Sequence, residues 1–118
     1  MKIAFASTDN VHINDHFGWC KCFYLYELAG GEWRFVKALE AKDEIAEEID
    51  KLGYKIERIK EADILCAAQI GPRASLMVKS AGIFVLKSEK ENKPIEAMLC
   101  DIVKLANENP PLWLKRFL

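Results

Sequence analysis

From Ala62 onward the sequence alternates short unbroken apolar runs with segments whose apolar residues return every three or four positions, each change marked by Gly or Pro. Ala62 to Ala68 reads as a fully buried strand, Gly71-Pro72 opens a helix through about Ser80, Gly82 ends it, and Ile83 to Leu86 is a last short strand. The charged stretch Lys87 to Lys93 reads as a solvated loop. Pro94 then starts a helix reaching about Asn107, and Asn109-Pro110-Pro111 ends it. Strand–helix–strand connections are right-handed and lay their strands parallel, so this half predicts a parallel sheet covered by helices.

The first half reads differently. Lys2 to Ser7 is an apolar run ending in the turn Ser7-Thr8-Asp9-Asn10, which suits a strand near the middle of the sheet. Asn10 to Gly18 has only Val11, Ile13 and Phe17 as apolar residues and reads as an irregular loop. Cys22 to Leu28 and Glu32 to Leu39, separated at Gly30-Gly31, form a hairpin signal. Ile45, Ile49, Leu52, Ile56 and Ile59 then recur at helical spacing, with Glu47, Glu48, Lys51, Lys55 and Arg58 between them and Asp43 as the expected cap. The expected architecture is α/β: a mixed five-stranded sheet, an antiparallel hairpin joined to parallel strands, covered by helices. Residues 1–109 are expected to form one domain and 110–118 an apolar tail. Trp113 and Phe117, like Leu114 and Leu118, are four apart, which gives the tail an apolar stripe able to fold back on the domain or to dock a partner.

Several function classes fall away on composition. The 118 residues suit one core, and 51% hydrophobic residues are enough to build it. Lys plus Arg number 17 against 18 for Asp plus Glu, which leaves no basic field for a nucleic-acid backbone. No apolar run is long enough to cross a bilayer, so no membrane or nucleic-acid partner is expected and the protein is expected in the cytoplasm. Four scattered cysteines do not make a disulfide framework and are expected reduced, with Cys66 and Cys100 packed in the core. Nucleotide-loop, metalloprotease and nucleophile-elbow fingerprints are absent.

Ligands in such sheets collect beyond the carboxyl ends of the parallel strands. Two loops qualify: Ser7 to Trp19, and Gln69-Ile70-Gly71-Pro72-Arg73. If the first strand and the Ala62 strand are parallel neighbours, both open on one rim. Gly71, Pro72 and Arg73 offer helix-start N–H donors and a guanidinium, a combination that favours an anion. The first loop and the strand after it carry borderline and soft metal ligands: His12, His16, Cys20 and Cys22. On a regular strand Cys20 and Cys22 would leave the same face. These ligands do not make a closed zinc site, which needs four on separate elements, but they suit an open site completed by an incoming cluster. The bland alternatives are a surface His and two small core thiols. Asp9 and Asp15 could instead hold a divalent cation for hydrolysis.

Lys2-Ile3-Ala4-Phe5-Ala6-Ser7-Thr8-Asp9, then Asp15-His16-Phe17-Gly18 and Phe23-Tyr24-Leu25-Tyr26-Glu27, resemble the opening of the dinitrogenase iron–molybdenum cofactor-binding family. The resemblance continues in Ala62-Asp63-Ile64-Leu65-Cys66, Ile70-Gly71-Pro72, Ala81-Gly82-Ile83 and Pro94-Ile95-Glu96. The closing Asn109-Pro110-Pro111-Leu112-Trp113-Leu114 resembles NifX-type members in particular. This resemblance implies a ribonuclease-H-like fold and a non-enzymatic carrier that transiently binds an iron–sulfur-based cluster, the iron–molybdenum cofactor or its NifB-cofactor precursor. It implies nitrogenase cofactor-assembly proteins or the recipient apo-enzyme as partners. The family's cofactor-binding motif falls on His16, Phe17 and Gly18. Trp19-Cys20-Lys21-Cys22 departs from the family pattern by adding two thiols. The rival expectations are a regulatory interaction module without metal and a hydrolase built on Asp9 and Asp15.

Overall fold

The computed structural model describes residues 1–118. The chain runs β1 (Lys2–Ala6), β2 (His12–Ile13), a single 3-10 turn at Phe17–Trp19, β3 (Cys22–Ala29), β4 (Glu32–Glu40), α1 (Glu48–Arg58), β5 (Ile64–Ala67), α2 (Pro72–Ser80), β6 (Phe84–Lys87), β7 (Lys93–Pro94), α3 (Ile95–Glu108) and α4 (Leu112–Lys115). Five strands form one sheet in the order β4-β3-β1-β5-β6. β1 is central because Ile3, Ala4, Phe5 and Ala6 are all fully buried, and a strand apolar on both sides must be covered on both. It pairs antiparallel with β3 and parallel with β5, which pairs parallel with β6, so the expected mixture of hairpin and parallel strands is what forms. Gly30 and Gly31, both at positive φ, supply the left-handed backbone that a tight hairpin turn needs.

The two faces of the sheet carry separate cores. Ala4, Ala6, Phe23, Leu25, Leu65 and Ala67 pack under Leu52 and Ile59 of the α1 segment and Ala74 and Val78 of α2. Ile3, Phe5, Leu28, Ile64 and Cys66 pack under Ile95, Met98, Leu99 and Ile102 of α3, with Leu114 of α4. Alternation along each strand assigns side chains to faces, and β4 keeps that assignment only by a bulge. The β3 register steps from Leu25–Lys37 to Tyr26–Phe35, which leaves Val36 as the extra residue. The step lets Trp33 pack with the α3 side and Leu39 with the α1 side although both are odd-numbered.

Several expectations are corrected. The helix over Ile45–Ile59 starts only at Glu48; Asp43 is not its cap, and Ile45 and Ile49 are exposed. Asp43 instead reaches Lys55, whose side chain is 1% exposed and not part of a solvated face. The Lys55 ammonium donates to the carbonyls of Cys20 at 2.5 Å and Ala41 at 2.9 Å and lies 3.2 Å from Asp43 Oδ2. A buried cation needs such partners, and here they tie the chain before β3 and the chain after β4 to one helix. The loop Asn10–Gly18 is less irregular than its composition suggests. Ile13 is buried, and β2 pairs antiparallel with β7, His12 opposite Pro94. Cys66 is buried as expected, but Cys100 is exposed, because its neighbour Leu99 takes the inward position on α3. In the tail, Leu114 is fully buried and Trp113 stacks on Phe84 at 4.3 Å, whereas Leu112 and Leu118 point to solvent. No helix is long and apolar enough to cross a membrane.

Candidate functional site

The carboxyl ends of β1 and β5 lie side by side, and the loops leaving them meet. After β1, the Ser7 hydroxyl donates to Asp9 Oδ1 and accepts from the backbone N–H of Asn10. Asp9 Oδ1 also accepts from the N–H groups of Val11 and His12, each at 2.9 Å, and Oδ2 lies 2.8 Å from His12 Nδ1. The His12 ring first, then the backbone donors, hold the Asp9 carboxyl well below the usual carboxylate range. Asp9 and His12 therefore organise a turn. Asp15 Oδ1 accepts from the His16 N–H, so the two carboxylates proposed as a hydrolytic pair are each engaged by their own loop.

The loop then returns to β5. Ala68 N–H donates to the Asp15 carbonyl at 3.1 Å and Phe17 N–H to the Gln69 carbonyl at 2.9 Å, a short parallel bridge that sets His16 beside Gln69. Both expected loops thus open on one rim. The 3-10 turn that follows has about three residues per turn, which places residues three apart on one side. His16 and Trp19 are such a pair, and their rings stack at 4.5 Å and 11°. Trp19 is 69% exposed, His16 is exposed too, and the His16 ring nitrogens have no hydrogen-bond partner within the chain. Phe17, between them, turns inward onto Phe23 at 5.5 Å and is fully buried, so it anchors the turn and presents nothing to the rim.

The two cysteines separate. Cys20 lies before β3 begins, joins the α1-side core, and donates its thiol to the Cys22 carbonyl at 2.9 Å. Burial pushes its thiol up to about 12, so it stays protonated and is withheld from the rim. The premise that Cys20 and Cys22 leave one face of a regular strand fails because the strand starts at Cys22. Cys22 is half-buried. No three His, Cys, Asp or Glu side chains converge closely enough to hold a metal ion on their own.

His16 stands between two clefts. One, of about 420 Å³, is lined by His16, Gly18, Trp19, Gln69 and the Gly71-Pro72-Arg73 start of α2. Gly71 caps α2 in extended conformation without a side-chain bond, and Pro72 has no N–H to offer, so the free donors there are the next backbone N–H groups. Arg73 Nη1 lies 3.4 Å from Glu48 Oε2, an exposed pair weak enough to open for a competing anion. The other cleft, of about 560 Å³, is polar and lined by Asn14, His16, Gln69, Lys87, Ser88 and Lys90 among others. Trp19 and Gln69 lie at the ends of the two loops read from the sequence but were not singled out there as site residues. The signal for Trp19 was its place three residues after His16, next to a glycine.

Comparison with known proteins bears on the whole arrangement. Residues 1–105 match the family model described as dinitrogenase iron-molybdenum cofactor. The chain is 32% identical to protein NifX of Herbaspirillum seropedicae, with 98% of this chain and 80% of that protein covered. It is 30% identical to protein NifX of Rhodobacter capsulatus, with 100% of this chain and 77% of that protein covered. Among solved structures, PH0822 superposes with a TM-score of 0.70 at 24% identity, covering 88% of this chain and 89% of that one. The mj0327 protein of Methanocaldococcus jannaschii superposes at 0.65 with 17% identity, covering 88% of each chain. The structural likeness speaks for the fold alone, whereas the sequence match runs from β1 into α3 and takes in both rim loops. On that match, the chain belongs to the dinitrogenase iron–molybdenum cofactor family.

Proposed function

We propose that this protein is a NifX-like carrier that transiently holds an iron–sulfur-based cofactor, the iron–molybdenum cofactor or its precursor, during nitrogenase cofactor assembly, and that it catalyses no reaction itself. The observation that carries this reading is the unpartnered His16 imidazole, exposed on Trp19 and set between two clefts on the rim of the parallel strands. A metal–sulfide cluster is bulky, soft and anionic. It suits one imidazole ligand, the free N–H donors of α2 behind Gly71 and Pro72, and the Arg73 guanidinium, with Gly18 leaving room beside the ligand. Few protein ligands also allow release: a cluster held by one imidazole can be handed on by ligand exchange, which a closed four-thiolate cage would resist. Cys22 is the auxiliary ligand candidate. The partners on this reading are assembly proteins and the recipient apo-enzyme, and the setting is the cytoplasm. The strand order, with one antiparallel hairpin beside parallel strands, supports reading the fold as ribonuclease-H-like.

Anaerobic titration of the apo-protein with a donor of the iron–molybdenum cofactor tests the proposal. The wild type is expected to acquire the cluster's visible absorption, and His16→Ala to weaken uptake about tenfold or more, the loss of a single metal ligand or its support. A wild type that stays colourless, or a His16→Ala protein that loads equally well, overturns it. A colourless protein that still binds assembly partners would favour the interaction-module alternative.

A further inference from the structure

Trp19, which lines the α2 cleft, also lines a third depression, of about 740 Å³, with Lys21, Lys42, Asp43, Glu44, Lys51 and Lys55. Its four lysines face two carboxylates, a local excess of positive charge on a chain whose formal net charge is -1. Lys55 is buried and bound to Asp43 and two carbonyls, which leaves Glu44 as the one uncommitted carboxylate. Lys21, Lys42 and Lys51 form no ion pair within the chain. They come from three different segments: the chain before β3, the chain after β4, and α1. The Lys55 contacts join those same segments, so the backbone that carries the three lysines is tied together at this depression. Trp19, among the most exposed large apolar side chains of the protein, stands at the edge of this depression and lines the α2 cleft as well.

We infer that the Trp19–Lys21–Lys42–Lys51 surface is a docking site for an acidic protein segment, and that it adjoins the His16 rim so that the protein giving or taking the cargo is held beside it. The placement of the inference beside cargo transfer rests on the proposed carrier function; the docking chemistry does not. Separated lysines act as point charges and match carboxylates spread along a peptide, whereas a compact phosphate is better met by Arg forks or clustered backbone N–H groups, which this depression lacks. Asp43 and Glu44 also disfavour the dense charge of a nucleic-acid backbone. An exposed Trp at the edge supplies the desolvated anchor around which such an interface forms, and the lysines supply attraction and orientation.

The test uses the full apo-chain and a short fluorescently labelled peptide rich in Glu and Leu, read by anisotropy. Binding is expected, weakening as salt rises. The triple variant Lys21→Gln, Lys42→Gln, Lys51→Gln is expected to lose about tenfold or more in affinity, and Trp19→Ala a comparable amount. A control with the same charge change at the exposed Lys79, Lys104 and Lys115 is expected to bind as the wild type does. Equal losses in the control would reduce the effect to net charge and overturn the site, as would a single-stranded oligonucleotide or inorganic phosphate that displaces the peptide at equal charge concentration. The lysine triple variant is expected to leave cluster uptake unchanged, because none of the three lysines lines either cleft beside His16. Failure of docking and failure of cargo binding are therefore separate results.

Discussion

Single side chains decide what the rim can do. His16 and Cys20 lie four residues apart and were both ligand candidates, yet one is exposed and the other is sealed, because a 3-10 turn lies between them and the chain dives into the core after Trp19. Cys20 and Cys66 are both pushed up to about 12 by burial, so the native protein is expected to resist iodoacetamide at both while Cys100 reacts; mass spectrometry with and without urea reads the difference. The sign at alkaline pH follows. Above the ordinary thiol value of 9.0 the unfolded chain ionises and the native one does not, so stability is expected to fall as pH rises from there towards about 12. Asp9 runs the other way. Its folded value is depressed, so its contribution is present above the ordinary carboxylate value of 3.8 and is lost only as pH falls well below it. Amide-exchange protection of Val11 and His12 should follow that acid loss, and should drop at neutral pH in Asp9→Asn. Lys55→Ala would strand the Cys20 and Ala41 carbonyls in the interior, an expected loss of roughly 2–4 kcal/mol in urea denaturation.

Elements with strong local punctuation were the legible ones. α2 runs Pro72–Ser80 as its Pro start and its stop at Gly82 predict, and Gly82 takes a φ of +85 that side chains rarely adopt. α1 was legible except at its start. Its periodicity extends back to Ile45, but nothing buries Ile45 and Ile49, and helix propensity alone does not order an isolated turn. Leu52 is the residue through which α1 supports the site: it packs in the same core as Phe17, and its Cδ2 lies 3.9 Å from where a Gly18 side chain would begin. Leu52→Ala is expected to cost about 2–4 kcal/mol and to speed amide exchange at Cys20, whose N–H closes the turn onto the Phe17 carbonyl. The β2–β7 ribbon was invisible in the sequence, since two residues give no period to read. The β4 bulge was invisible for a related reason: alternation can reveal a break, but only the pairing partner shows which residue is extra.

At the scale of the molecule, three layers place the two clefts flanking His16 at the end of the parallel strands, and the tail closes the layer opposite α1 and α2. Trp113 lies flat on Phe84 of the edge strand β6, so Trp113→Ala is expected to lower stability by about 1–3 kcal/mol in urea while leaving uptake at the distant rim unaffected. The sequence by itself determined the α/β class, the number of main strands, the hairpin and the place of α2, because periodicity, Gly and Pro are read from neighbours along the chain, and its motifs carried the family resemblance. Only the tertiary structure decided that Lys55 is buried, that Cys20 faces inward, that Cys100 faces out, and that Trp19 lies under the His16 ring. Each of these depends on which distant segment arrives at that point in space. A side chain's burial, and with it its charge and reactivity, is set by those arrivals.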